Sequence, residues 1–77
     1  MSEVQDIESR VIEIVAQALK QPVTRDTTRE STAAWDSLKH IELVFAIEDE
    51  LQIRFDEDEL EALDSVQAFV DRAQAKA

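Results

Sequence analysis

The chain has 77 residues, of which 18 are acidic and 8 are basic, so its formal net charge is −10 at neutral pH. This charge argues against nucleic-acid binding, which needs a basic surface, and the 44% apolar content argues against a disordered chain. No apolar run is long enough to span a bilayer, no signal peptide is recognisable, and cysteine is absent. These features predict one cytoplasmic domain over residues 1–77, with no membrane association, no disulfide and no thiolate metal site.

The first predicted element is an amphipathic helix. Glycine is absent and Pro22 is the only proline, which leaves few residues for the turns of a β-rich fold and favours an all-α architecture. Ser2 and Gln5 resemble a capping box at the helix start, and the apolar periodicity ends near Lys20, just before Pro22. The apolar face of this helix is predicted to comprise Val4, Ile7, Val11, Ile14, Val15, Ala18 and Leu19.

A long loop is predicted next, over residues 21–35. Thr, Ser, Arg and Asp dominate there and no apolar period holds. Val23 and Trp35 are expected to anchor the loop in the core. Because the loop is longer than an ordinary helix–helix connection, the sequence favours a functional or bridging role for it.

The second predicted helix, over residues 37–51, carries two apolar stripes. The core stripe consists of Leu43, Val44, Ile47 and Leu51. The second stripe, on nearly the opposite side, consists of Leu38, Ile41 and Phe45 and is flanked by Glu42, Glu48 and Asp49. Leu38 and Ile41 are open to two explanations: coverage by the third helix or the loop, or exposure for a partner. Phe45 among carboxylates is better explained by recognition.

Two further helices complete the predicted fold. Asp56 with Glu59 resembles a capping box that opens a short third helix ending near Leu63. Asp64 or Ser65 opens a fourth. The crowded carboxylates of the second and third helices are expected to repel one another, which disfavours their charged forms. The result is an all-α four-helix bundle with a long first loop and a short third helix, and the buried face of the fourth helix is predicted to be Val66, Phe69, Val70 and Ala73.

Ser37, at the start of the second helix, can be interpreted in two ways. In the first, Asp36 or Ser37 simply caps the helix by accepting hydrogen bonds from the free first-turn amides. In the second, Ser37 is a modification site, because unpaired N–H groups and a partial positive charge at a helix N-terminus stabilise a phosphodiester. Asp36 can then act as the cap and leave the Ser37 hydroxyl pointing outward.

The motif "DSL" at residues 36–38, with "IELVFAIEDEL" after it and "DSVQAFV" at residues 64–70, resembles the acyl carrier proteins over essentially the whole chain. The resemblance implies a carrier without catalytic residues. Its attachment serine is Ser37, with Asp36 beside it, and a phosphopantetheinyl transferase loads this serine with 4'-phosphopantetheine from coenzyme A. The thiol of that arm holds acyl groups as thioesters. The implied partners are acyl-loading and acyl-processing enzymes with basic docking patches, which a monomeric carrier would meet through Leu38, Ile41, Glu42, Phe45, Glu48 and Asp49.

Several positions depart from the pattern of the housekeeping fatty-acid carriers. Trp35 directly precedes the motif where a glycine-containing approach is usual, Lys39 and His40 follow it, and "TTREST" replaces an upstream apolar pair. The resemblance implies a carrier for fatty-acid, polyketide or related specialised lipid biosynthesis, and within that class these departures favour a specialised or auxiliary carrier, for polyketide, peptide-hybrid or unusual lipid assembly. An aminoacyl or peptidyl carrier, or an unmodified acidic interaction module with the same fold, is the alternative.

Two other kinds of site are not favoured by the sequence. Asp36, Ser37 and His40 have the residue types of a catalytic triad, but no glycine-built oxyanion hole accompanies them, and His40 is expected to pack near the core stripe. The acidic run at residues 56–61 lacks the glycine and the spacing of a calcium-binding loop, so no dedicated metal site is expected.

Overall fold

The computed structural model describes residues 3–76, with side chains from residue 7 onward. It contains α1 (Glu3–Leu19), α2 (Ser37–Leu51), a 3₁₀ helix (Glu57–Ala62) and α3 (Val66–Lys76). The predicted all-α architecture, with a long first loop and a short third helix, is confirmed. The proposed capping box at Ser2 and Gln5 and the side chain of Val4 lie outside the described part of the chain. No helix within residues 3–76 is both long and apolar enough to cross a bilayer.

Both long helices end on residues in the left-handed conformation. Lys20, after α1, has a φ of 57°, and Gln52, after α2, has a φ of 56°. The Gln52 N–H donates to the Glu48 carbonyl and so satisfies one of the free carbonyls at the end of α2. Glycine is the usual residue at this position because it has no Cβ. In a chain without glycine, lysine and glutamine take that role.

The core forms where α1 packs against both α2 and α3. Phe69 of α3 lies at its centre, with ring centroids 6.0 Å from Trp35 and 5.9 Å from Phe55. The predicted faces are confirmed, except that Ile14, Ala18 and Leu51 are only half-buried at the edge of the core. The buried apolar residues are Ile7, Val11, Val15, Leu19, Trp35, Leu43, Val44, Ile47, Phe55, Leu63, Val66, Phe69, Val70 and Ala73.

The loop between α1 and α2 is ordered by its own polar side chains and by contacts with the start of α3. Thr28 and Ser31 bond to each other's backbone N–H and hydroxyl groups. Thr28 also forms an isolated antiparallel bridge with Ser65. As predicted, Trp35 is buried and Val23 packs against the core. The loop therefore holds its far end firmly next to the N-termini of α2 and α3.

The short third helix is a 3₁₀ helix, and one of its carboxylates, Glu59, has its charged form favoured and not disfavoured as expected. The Glu59 carboxylate accepts the Asp56 N–H at 2.7 Å, as a capping box requires, and contacts Lys76 and Arg72 at 2.9 Å each. The Asp56 amide first, and then the cations of α3, lower the pKa of Glu59 from 4.5 to about 2. Basic residues of α3 thus favour the charged form of this carboxylate.

Glu59→Gln is expected to lower the melting temperature at neutral pH. Because the folded-state pKa of Glu59 lies below its ordinary value, its contribution to stability is complete above about pH 4.5 and is lost as the pH falls to about 2. The difference in melting temperature between the wild type and the variant should therefore shrink over that interval, as followed by circular dichroism. Glu57→Gln is the control, because Glu57 is an exposed residue of the same helix with no ion pair among residues 3–76. A Glu59→Gln effect that is independent of pH would contradict this account.

Candidate functional site

Asp36 caps α2. Its backbone is extended, with φ −91° and ψ −173°, and its Oδ1 accepts the Lys39 N–H at 2.9 Å. Its carbonyl accepts the His40 N–H at 2.9 Å and so begins the helical ladder. Of the two N-terminal caps that the sequence allowed, the structure uses Asp36, so the Ser37 hydroxyl is not needed to cap the start of α2.

Ser37 is the first residue of α2 and is exposed. Its Oγ accepts a hydrogen bond of 3.1 Å from the Nη2 of Arg29, which is half-buried in the long loop. A hydroxyl in this place is accessible to a modifying enzyme and lies beside a permanent positive charge. The sequence analysis did not identify Arg29, because nothing in an aperiodic loop indicates which distant side chain its residues will meet.

A buried relay of polar groups lies directly behind the motif. The Trp35 indole N–H donates to Nδ1 of His40 at 3.1 Å, and Nε2 of His40 lies 2.8 Å from the Leu60 carbonyl. Since an indole nitrogen can only donate, Nδ1 must be the acceptor, and the Nε2–H donates a hydrogen bond to the Leu60 carbonyl. The relay ties the loop, α2 and the 3₁₀ helix together through a neutral histidine, which confirms that His40 is packed. Ser37 bonds to Arg29 and Asp36 to Lys39, so no catalytic triad is assembled.

The second stripe of α2 is exposed along its whole length. The exposed fractions are 71% for Leu38, 44% for Ile41 and 64% for Phe45, so neither the loop nor the 3₁₀ helix covers these residues. Burying such a side chain is worth about 1.5–3 kcal/mol, and this helix leaves three of them in water on one face. A patch of this kind usually marks a contact surface for another molecule.

The three carboxylates beside the second stripe have different environments. Glu42 is exposed and lies 3.5 Å from the Lys39 ammonium group, and Asp49 is exposed. Glu48 is half-buried, and its Oε2 accepts the Phe55 N–H at 2.7 Å. Glu48 therefore already has a structural partner, whereas Glu42 and Asp49 are freer to meet a basic surface. Glu48 and Asp49 also line an open groove with Phe45, Gln52, Ile53 and Arg54.

Comparisons with known proteins agree with the family resemblance described in the sequence analysis. Residues 9–73 match the protein family described as "Phosphopantetheine attachment site". The chain is also similar to acyl carrier protein 3 of Ralstonia nicotianae, with 44% identity over 61 residues, a match that covers 74% of this chain and 69% of that protein.

Proposed function

This chain belongs to the acyl carrier protein family, and on that premise we propose that it holds acyl groups on a 4'-phosphopantetheine arm attached to Ser37. Members of this family are carriers and not catalysts, and they work with a phosphopantetheinyl transferase and with acyl-handling enzymes. The observation that carries the assignment of Ser37 is its hydroxyl, which is exposed at the start of α2 while Asp36 supplies the cap.

The residues around Ser37 fit such an arm. The hydroxyl is accessible, Arg29 places a cation beside it, and the acidic cap faces the Lys39 amide. When bound, the arm supplies a terminal thiol on which acyl groups form thioesters, a group that this cysteine-free chain lacks. During attachment, the Ser37 oxygen forms a new bond to phosphorus as the pyrophosphate bond of coenzyme A breaks. Adenosine 3',5'-bisphosphate leaves, and the hydroxyl proton passes to the transferase or to solvent.

The proposal is tested by incubating the purified chain with coenzyme A and several broad-specificity transferases, and by co-expression with transferases of its native host. The intact mass should increase by one arm, and peptide mass spectrometry should locate that arm on Ser37. If no condition modifies the chain, and if the native protein is always unmodified, the chain acts as an acidic interaction module.

We further propose that the carrier acts as a monomer in the cytoplasm and serves fatty-acid, polyketide or related specialised lipid biosynthesis. Trp35 and "TTREST" before the motif, and Lys39 and His40 after it, support a specialised carrier. The intact mass of protein isolated from its own cell, with the thioester preserved, identifies the cargo. A mass that corresponds to an aminoacyl or peptidyl group would replace this proposal with the alternative carrier class.

The partner surface of the proposed carrier is the second stripe with Glu42 and Asp49. Phe45→Ala should mainly speed dissociation from an acyl-handling enzyme, because it removes the central apolar contact. Glu42→Lys should slow association and reduce its salt dependence, because it removes electrostatic steering. Both effects can be measured by stopped-flow binding to a partner enzyme.

Asp71→Lys is the matched control for the charge change, since Asp71 is exposed on α3 and its carboxylate accepts a hydrogen bond from Gln67 of the same helix. It should alter association much less than Glu42→Lys does. Normal loading and acyl transfer in both the Phe45 and Glu42 variants would show that partners do not use the second stripe.

A further inference from the structure

Arg29 is held in a fixed position between the starts of two helices. Its backbone N–H donates to the Asp64 carbonyl at 2.9 Å, and two residues before it the Thr27 carbonyl accepts the Val66 N–H at 3.0 Å. These bonds join the loop to the N-terminus of α3 on both sides of Thr28. The backbone that carries the guanidinium is therefore fixed relative to the bundle and does not depend on a mobile loop tip.

The guanidinium of Arg29 contacts Ser37 and has no acidic partner among the described side chains. Its Nη2 donates to Ser37 Oγ at 3.1 Å. Although the chain has 18 acidic residues, none of the ion pairs within residues 3–76 involves Arg29, whereas Arg10, Arg25 and Arg72 each pair with a glutamate. Guanidinium groups carry five donors, and the bond to Ser37 uses one of them, so Arg29 has donors left for an anion at this position.

We propose that Arg29 binds the phosphodiester of the loaded chain: its guanidinium donates to the non-bridging oxygens of the phosphate on Ser37. This inference rests on the proposed function. A phosphate joined to Ser37 Oγ places its oxygens next to the atom that Arg29 already contacts. Arginine pairs with phosphate through charge-assisted and often bidentate hydrogen bonds, because the planar, permanently charged guanidinium matches the geometry of the phosphate oxygens.

The positive charge of Arg29 would offset the repulsion that loading creates between the phosphate and Asp36. The phosphodiester adds a negative charge to a chain whose net charge is already −10, and it does so next to the Asp36 carboxylate. Like charges on adjacent residues repel, and a neighbouring guanidinium offsets the repulsion. Arg29 thereby fixes the base of the arm and keeps the phosphate away from Asp36, so that the helix cap survives loading.

The test compares the loaded forms of the wild type, Arg29→Gln and Arg29→Lys by ³¹P NMR. Arg54→Gln is the matched control, because Arg54 is exposed, lies in no ion pair within residues 3–76 and has no contact with Ser37. Arg29→Gln should move the ³¹P resonance and narrow it, because the phosphate loses its partner, and Arg29→Lys should restore the shift only in part. Arg54→Gln should leave the resonance where the wild type has it.

A second measurement needs only the wild type. It shows whether Arg29 contacts the phosphate even if the transferase does not load Arg29→Gln. The side-chain N–H signals of Arg29 should shift between the unloaded and loaded forms, while those of Arg54 should not. If neither the ³¹P resonance nor the Arg29 signals change, Arg29 is only a structural neighbour of Ser37 and the inference is wrong. A wild type that accepts no arm overturns the proposed function instead, and the role of Arg29 with it.

Discussion

Ser37→Ala is expected to abolish covalent loading completely while the chain remains folded. The substitution removes the proposed attachment oxygen, and no neighbouring group of this site replaces it. The helix keeps its cap, because the Asp36 carboxylate and not the Ser37 hydroxyl accepts the first-turn amide. The expected loss of stability is that of the single hydrogen bond with Arg29, about 0.5–1.5 kcal/mol. Intact mass after treatment with coenzyme A and a transferase, together with circular dichroism, measures both effects.

Ser65→Ala is the matched control, because it should lower stability without affecting covalent loading. The Ser65 Oγ accepts the Ala68 N–H at 3.0 Å and so caps α3. Its removal should cost about 1 kcal/mol, in the range found for helix caps, but should leave loading intact. Loading of Ser37→Ala to the wild-type level would mean that the arm is attached to another hydroxyl.

Trp35→Ala should be among the most destabilising single substitutions in the chain. Trp35 is fully buried against Phe69, and replacing such a side chain with alanine typically costs about 3–5 kcal/mol. It also leaves Nδ1 of His40 without its donor. Domains of this size are stable by only about 4–12 kcal/mol, so this variant should be marginally folded or unfolded at room temperature. Urea denaturation followed by far-ultraviolet circular dichroism is the suitable measurement, because Trp35 is the only tryptophan and its fluorescence is lost.

Trp35→Phe separates the hydrogen bond from the packing. It keeps an aromatic ring but removes the indole N–H, so the unsatisfied buried nitrogen of His40 should cost about 1–3 kcal/mol. Phe55→Leu is the packing control, since Phe55 contacts Phe69 edge to face and has no polar atom in its side chain. A Trp35→Phe variant as stable as the wild type would show that the relay to His40 does not stabilise the fold.

The fold could be predicted from the sequence because its determinants are local. The apolar spacing of the helices places Val11, Val15, Leu43 and Phe69 in the core. Pro22 lies near the beginning of the long loop, and Asp36 lies at its end. Helix boundaries follow from caps that involve residues three or four positions apart, such as Asp36 with Lys39.

The site could be predicted only in part, because several of its contacts join residues far apart in the chain. The exposed second stripe follows from the helical spacing of α2, which depends only on neighbouring residues. Arg29 reaches Ser37 only because the loop is bound to the start of α3, and the ion pairs of Glu59 depend on the course of α3. Glu48 was predicted only as a carboxylate that flanks the second stripe, and the contact with the Phe55 amide arises from the turn of the chain after α2.

The fixed backbone at Ser37 has a consequence for how a carrier would work. Asp36 and Arg29 contact the start of α2, and the buried ring of Trp35 anchors the chain just before it, so the proposed arm would start from a well-anchored point. Phe45 lies eight residues further along α2, about 12 Å along its axis. An enzyme seated on the second stripe would therefore lie within the small volume that the tethered thiol explores, at an effective concentration on the order of millimolar. On the proposed function, docking could then be weak and brief without slowing transfer, and the carrier would be free to leave for the next enzyme.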